Sequence, residues 1–226
     1  AGMAVKAQAQ ATVYPDRPIT FICPWPAGGT ADQTMRALCL AAGRELGQSM
    51  VVENKAGAAG MIGLKALASA KPDGYTVGQI PISVTRFSQL GTVAIDPMKD
   101  LTYLARTSGQ TFGIAVPANA RWKTLQDLVA EAKAQPGKIS YAHSGVGGAT
   151  HVGMEEFAAV AGVQFNHIPY KGGAPALQDL LAGQIDFYFD PGIGLNQVRA
   201  GKLKLLAVGS PKRSPLFPQV PTLEEA

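Results

Sequence analysis

Apolar and polar positions run along the chain in short blocks whose period switches repeatedly between that of a strand and that of a helix. Residues 19–23 (Ile19-Thr20-Phe21-Ile22-Cys23) form an apolar, β-rich run that Pro24, Pro26, Gly28 and Gly29 end. A helical period begins near Thr30 to Asp32: Met35, Leu38, Cys39 and Ala42 fall at i, i+3, i+4 and i+7, and Gly47 closes the segment. The pattern then predicts a strand at 50–52, a loop over 54–60, a helix at 61–69 and, after the Pro72-Asp73-Gly74 turn, a strand at 75–80. Residues 101–117 read as extended and suited to cross between lobes. A second series follows: a helix at 122–134 ended by Gly137, a strand at 139–142, a helix to about 161, a strand at 164–168, a helix at 174–181 and a strand at 185–189. Strands alternating with helices through short connections predict an α/β fold of mainly parallel sheets with helices on their faces. The two series have the same rhythm but no shared sequence repeat.

Two of these units share one design: an apolar run, a glycine-rich turn, and an amphipathic helix that starts against the turn. They span residues 19–46 and 139–161. Each leaves backbone N–H groups unpaired at a helix N-terminus, where aligned peptide dipoles concentrate partial positive charge, so each is a potential anion-binding corner. Ligands of such sheets bind at the carboxyl ends of the strands, which is where both corners fall.

Composition narrows the class. At 226 residues with 46% hydrophobic positions, the chain can bury a core as one large or two small domains. Its 26 Gly and 16 Pro lie between periodic segments, which signifies turns rather than disorder. The net charge of +4 favours acidic ligands in general. The basic residues are scattered, without the aromatic-interleaved stripe that nucleic acid needs, so no nucleic-acid partner is expected. No run approaches a membrane span, so no membrane insertion is expected either. Residues 1–11 are rich in small residues, with Ala7-Gln8-Ala9 and Ala9-Gln10-Ala11 matching a cleavage pattern. They read as the end of a secretory signal, or as a disordered tail. Cys23 and Cys39 are read as buried free thiols, with a single bridge open in an oxidising compartment.

Several residues carry candidate chemistry, each with a structural alternative. Within the first corner (Ala27, Gly28, Gly29, Thr30, Asp32), the glycines let an oxyanion approach the backbone, or merely make a tight turn. Thr30 and Asp32 are ligand contacts or helix caps, with capping favoured for Asp32. Ser144, Gly145, Gly147 and Thr150 form the opposing corner. Gly145-Val146-Gly147-Gly148 is not a dinucleotide fingerprint, because the third glycine and the downstream acid are missing. Ala142-His143-Ser144-Gly145 is not a hydrolase elbow. The three histidines, His143, His151 and His167, stand in no metal-binding spacing, so no metal and no cofactor are expected; His151, in the first turn of its helix, is a candidate ligand contact. Ser83 and Thr85 reach the same crevice or are loop hydroxyls. Lys171 offers a formal charge or stays solvated. Asp190 accepts a hydrogen bond from a ligand or caps Gly192 and Ile193.

A resemblance sharpens this reading. Pro24-Trp25-Pro26-Ala27-Gly28-Gly29-Thr30-Ala31-Asp32, Val51-Val52-Glu53-Asn54-Lys55-Ala56-Gly57-Ala58-Ala59-Gly60 and Lys71-Pro72-Asp73-Gly74-Tyr75-Thr76 are the first motifs. Ser144-Gly145-Val146-Gly147 with His151, Ile168-Pro169-Tyr170-Lys171-Gly172-Gly173-Ala174-Pro175-Ala176, Asp179-Leu180-Leu181-Ala182-Gly183-Gln184-Ile185-Asp186 and Phe217-Pro218-Gln219-Val220-Pro221-Thr222 follow in order. Together they make the chain similar to the solute-binding receptors of tripartite tricarboxylate transporters, the Bug-type family. The resemblance implies a two-lobe periplasmic binding protein of the Venus-flytrap type that holds a small organic carboxylate, a mono- or dicarboxylate, between its lobes and delivers it to membrane transporter subunits without chemistry. The alternatives are a carboxylate sensor for a membrane signalling partner and an enzyme acting on an anionic substrate. Expected divisions are a tail at 1–13, a first lobe at 14–105, a second at 106–215 and the start of a crossover back to the first lobe at 216–226. Family members continue with a stretch that completes the first lobe, so the resemblance implies that its C-terminal part is absent from this sequence.

Overall fold

The computed structural model describes residues 14–107 and 112–226. The expected tail at 1–13 lies outside the described residues, as do residues 108–111 of the expected crossing. The first lobe contains β1 (Ile19–Cys23), α1 (Thr30–Leu46), β2 (Met50–Asn54), α2 (Met61–Ala68), β3 (Thr76–Gly78) and α3 (Ser83–Gln89). Its strands pair in parallel in the order β2-β1-β3, with Ile19 beside Met50 and Thr20 beside Thr76. The central strand β1 is apolar because it is covered on both faces: Phe21 packs with Met35, Cys39, Met50, Val52 and Val77 under α1, and Ile22 is buried on the other face, where α2 packs. Gly47 ends α1 in the left-handed conformation at φ 67°, as its place after the apolar stripe predicts. The stripe itself is narrower than expected: Met35 and Cys39 are buried, whereas Leu38 is 40% exposed. Cys23 and Cys39 are free, buried thiols.

The second lobe is built from β4 (Gly113–Pro117), α4 (Leu125–Ala134), β5 (Ser140–His143), α5 (Ala149–Ala161), β6 (Asn166–Pro169), α6 (Gly173–Leu181), β7 (Phe187–Asp190), α7 (Leu195–Arg199) and β8 (Leu203–Val208). Its sheet has the order β6-β5-β7-β4-β8. β5 is parallel to β6 and β7, whereas β4 runs antiparallel to both β7 and β8. The reversal follows from chain entry. The segment from the first lobe delivers Gly113 opposite Asp190, at the carboxyl end of β7, so β4 must run away from that edge. Side chains alternate across this sheet. Ile114, Val116, Tyr141, Phe187 and Phe189 face α4 and α5, while Ala115, Ala142 and Tyr188 face α6.

Three elements escaped the periodic pattern. α3 occupies a stretch read as loop because Ser83, Val84 and Thr85 are poor helix formers; buried Val84, packed with Met61 and Leu64, holds it. α7 and β8 follow Gly194 and Gly201 in a segment too short for a helical period to show. Residues 216–226, expected to start the return crossover, lie along the second lobe: Thr222 bridges Val208, and Leu223 and Ala226 pack on its core.

α4 shows how this chain caps a helix when nothing else is asked of the terminus. The Thr124 side chain accepts from the Asp127 amide, and Asp127 accepts in return from the Thr124 amide at 2.9 Å. Below that cap, Leu128 is fully buried in the second-lobe core. Leu128→Ala is expected to destabilise the chain by about 2–5 kcal/mol, read as a lowered urea midpoint.

Candidate functional site

The carboxyl ends of β1, β3, β5, β6 and β7 converge on a cleft of about 590 Å³ between the two lobes. That volume is in the range of small-molecule sites. The first lobe contributes Trp25, Pro26, Gly29, Thr30 and Ala31 from the β1–α1 corner and residues 79–85 from the β3–α3 connection. Ser144, Ala149 and Thr150 from the β5–α5 corner, Gly173 at the start of α6, and Pro191 and Ile193 after β7 face them. Tyr103, Arg106 and Phe112, on either side of the crossing, complete the lining. Among the described residues, Arg106 is the only formally charged side chain on that lining, and no carboxylate is on it.

The electrostatics come from the backbone. In α1 the first helical acceptor is used by Gln33, whose N–H reaches Gly29 O at 3.0 Å; the amides of Thr30, Ala31 and Asp32 therefore stand outside the helix's own bonding. α5 repeats this: Val152 N–H reaches Gly148 O at 3.0 Å, leaving Ala149, Thr150 and His151. α1, α5 and α6 all have glycine at the N-cap, Gly29, Gly148 and Gly172, and none has a side-chain cap. Unlike α4, these three helices leave their positive ends open to the cleft. Thr30 Oγ1 and Gln79 Oε1, both on cleft-lining residues, are shielded from solvent without a hydrogen-bond partner among the described residues.

The loop amides beside these corners are already spoken for. Asp32 is buried and accepts from Gly28 N–H at 2.9 Å, Arg36 Nε at 3.0 Å and Asn54 Nδ2 at 2.8 Å. Burial raises its pKa, but the hydrogen bonds from Arg36, Asn54 and Gly28 outweigh that and hold it below the ordinary carboxylate value. Asn54 also donates to Trp25 O, which ties the corner to the end of β2. In the second corner Thr150 Oγ1 accepts from Ser144 N–H at 3.0 Å, His143 Nδ1 from Gly145 N–H and His151 Nδ1 from Gly147 N–H, each at 3.2 Å.

Three comparisons bear on this geometry. The family model described as "Tripartite tricarboxylate transporter family receptor" matches residues 34–226. A protein of Cupriavidus necator described as "UPF0065 protein in gbd 5'region" is 43% identical over 222 residues, covering 98% of this chain and 68% of its own length. Protein BugT of Bordetella pertussis is 35% identical over 227 residues, covering 98% and 69%. The chain belongs to the tripartite tricarboxylate transporter receptor family. Its fold agrees: the structure of the periplasmic binding protein BugD superposes with a TM-score of 0.86 at 34% identity, over 94% of this chain and 72% of that one. The family is one of solute receptors rather than enzymes. The chain spans about two thirds of the length of the curated relatives it matches.

Of the residues expected at the receptor's site, Gly29, Thr30, Ser83, Thr85, Ser144 and Thr150 line the cleft. Ala27, Gly28, Asp32, Gly145, Gly147, His151, Lys171 and Asp190 do not. Ser83 Oγ donates to Ala59 O, Thr85 Oγ1 donates to Ile82 O, and Ser144 Oγ pairs with Thr150 Oγ1, so these hydroxyls have partners within the protein. Trp25, Gln79, Tyr103, Arg106, Phe112, Gly173, Pro191 and Ile193 are lining residues that sequence reasoning did not name. Gly173 was findable, because it sits directly before a predicted helix; Gln79 was hidden inside the strand expected at 75–80, which in the structure ends at Gly78. Arg106 and Phe112 were not findable, since nothing in an extended segment says which residue turns inward.

Gly145, Gly147 and Gly172 serve a different surface. A Cβ on Gly147 would stand 2.7 Å from Phe87 Cζ, and one on Gly145 would stand 3.2 Å from the Ala59 backbone. Gly172 is pressed against Pro26. Arg86 Nη1 adds a hydrogen bond to Gly147 O across the same seam. The two lobes thus meet where second-lobe glycines press on Ala59, Phe87 and Pro26; of these three, Pro26 also lines the cleft.

Asp190 turns inward to cap the loop after β7, accepting from Gly192 N–H at 3.1 Å and Gly194 N–H at 2.8 Å. Burial nonetheless pushes its pKa up to about 6, against the opposing pull of the Gly194, Gly192 and Ile193 amides. A raised folded-state pKa contributes stability below the ordinary carboxylate value that is lost as pH rises through about 6. Asp190→Asn should therefore gain stability relative to the parent chain by about 2 kcal/mol between pH 4 and pH 7, read from paired denaturant titrations.

Proposed function

We propose that this chain is the ligand-holding part of a periplasmic receptor that takes a small organic carboxylate, mono- or dicarboxylate, between its lobes and presents it to the membrane subunits of a tripartite tricarboxylate-type transporter. The observation that carries the reading is the cleft's charge pattern: three uncapped helix N-termini and Arg106 face a space on which, among the described residues, no acidic side chain lies. A carboxylate satisfies amides at the corners and accepts from Thr30 Oγ1, while Trp25, Ile80, Phe112 and Ile193 cover its carbon skeleton. Gln79 supplies an amide for a second polar group. Two solved relatives support the class. The structure described as "R. palustris Rpa4515 with adipate" matches with a TM-score of 0.85 at 28% identity, and "MatC (Rpa3494) from Rhodopseudomonas palustris with bound malate" with 0.86 at 27%.

Export to the periplasm is supported by the small-residue tail of the sequence and by the periplasmic solved relatives. Among the described residues no helix is long and apolar enough to cross a membrane. Capture follows from two-lobe geometry: a ligand that touches α1 and α5 together is fully bound only when the lobes meet, so it shifts the open–closed balance toward the seam around Gly147.

Isothermal titration against mono-, di- and tricarboxylates is expected to show one class binding with a dissociation constant below millimolar. Thr30→Val, which keeps the shape and removes the hydroxyl, should weaken that ligand by about tenfold, or about 1.4 kcal/mol, with the thermal midpoint of the free protein unchanged or raised. Absence of binding by every organic acid would overturn the reading. Arg86→Ala removes a contact of the seam alone; it should lower carboxylate affinity and enlarge the radius of gyration of the ligand-bound protein in small-angle scattering.

A further inference from the structure

We propose that His143, His151 and His167 form a second site on this protein, one for a divalent transition-metal cation of the kind that prefers imidazole nitrogen, such as zinc, nickel or copper. The three are all the histidines the chain has, and one ring nitrogen from each lies within 4.8 Å of the others. His143 Nε2 and His167 Nδ1 are 3.1 Å apart. Ring centroids are 4.4 Å apart for His143 and His151, 5.0 Å for His151 and His167, and 5.3 Å for His143 and His167. A tetrahedral metal with metal–nitrogen bonds of about 2.0–2.1 Å needs donors about 3.3 Å apart. One pair already has that spacing, and the third ring must close by about 1.5 Å at most, which side-chain rotation supplies.

The fold makes the cluster. β5 and β6 run parallel with Tyr141 beside His167, so His167 and His143 project from the same face of the sheet. α5 crosses that face and brings His151 over them in its first turn. Burial is graded from buried His143 through half-buried His151 to exposed His167, which gives an ion a path from solvent. Glu155, one turn after His151, has Oε1 3.9 Å from His151 Nε2 and accepts from Tyr141 OH at 2.9 Å, placing an anionic oxygen at the rim. A metal on His143 Nε2 moves that ring's proton to Nδ1, and the Gly145 amide loses its acceptor; the cost is one long hydrogen bond at the edge of the lobe seam. None of the three rings lines the carboxylate cleft, so the site is separate from it.

The test uses the whole chain without an affinity tag, stripped with a chelator. Titration with zinc chloride should give one ion per chain at a dissociation constant of order micromolar, and cobalt(II) should show the visible absorption of a four-coordinate centre. His167→Gln alters an exposed ring and is expected to keep the parent's thermal midpoint while weakening zinc by at least about tenfold. His151→Gln should weaken zinc by a similar factor; because His151 Nδ1 also accepts from Gly147 N–H, the unchanged midpoint is expected of the His167 variant alone. Stoichiometric binding that survives both substitutions, or no binding tighter than millimolar, would overturn the proposal; neither result bears on carboxylate binding.

Discussion

In a parallel sheet, a helix that follows a strand starts at that strand's carboxyl end, and its N-terminus leaves three or four amides without helical acceptors on the same edge. The rest of this structure depends on that directionality. β1, β5 and β6 each deliver a helix to the cleft, and each helix begins at a glycine that offers no side chain to cap it. A serine or aspartate at those caps would stabilise the helix by itself and fill the place of a ligand oxygen. α4 carries such a cap, away from the cleft lining. The field at the site is therefore made by peptide dipoles in fixed positions rather than by flexible cations, which suits a receptor that must release its ligand.

Around the open amides, buried side chains hold the turns in place. Asp32 joins Gly28, Arg36 and Asn54, and through Asn54 fixes Trp25 at the cleft wall. Thr150, His143 and His151 do the same for the 144–147 turn. Each pairs a loop amide that would otherwise compete for the ligand, so the free donors are confined to the helix starts. The second-lobe glycines are then left to a mechanical task. With no side chains of their own, Gly145, Gly147 and Gly172 let Ala59, Phe87 and Pro26 approach the turns, and lobe contact lies directly beside the corners that a ligand would bridge.

The sequence by itself determined the α/β alternation, both glycine corners and the helix stop at Gly47, because hydrophobic period and turn chemistry are local properties. It also carried the family, through motifs spread from Pro24 to Thr222. Thr30, Gly29, Ser144 and Thr150 could be placed at the cleft because they sit at a strand end and a helix start at once. Three things were decided only by tertiary structure. The reversal of β4 depends on where the interlobe chain enters the second sheet. The placing of Tyr103, Arg106 and Phe112 along the cleft depends on where the segment between the lobes runs. The meeting of His143, His151 and His167 depends on strand register and helix crossing, which join residues that no spacing rule connects. Local pattern fixes which face a residue takes; only packing fixes what stands opposite it.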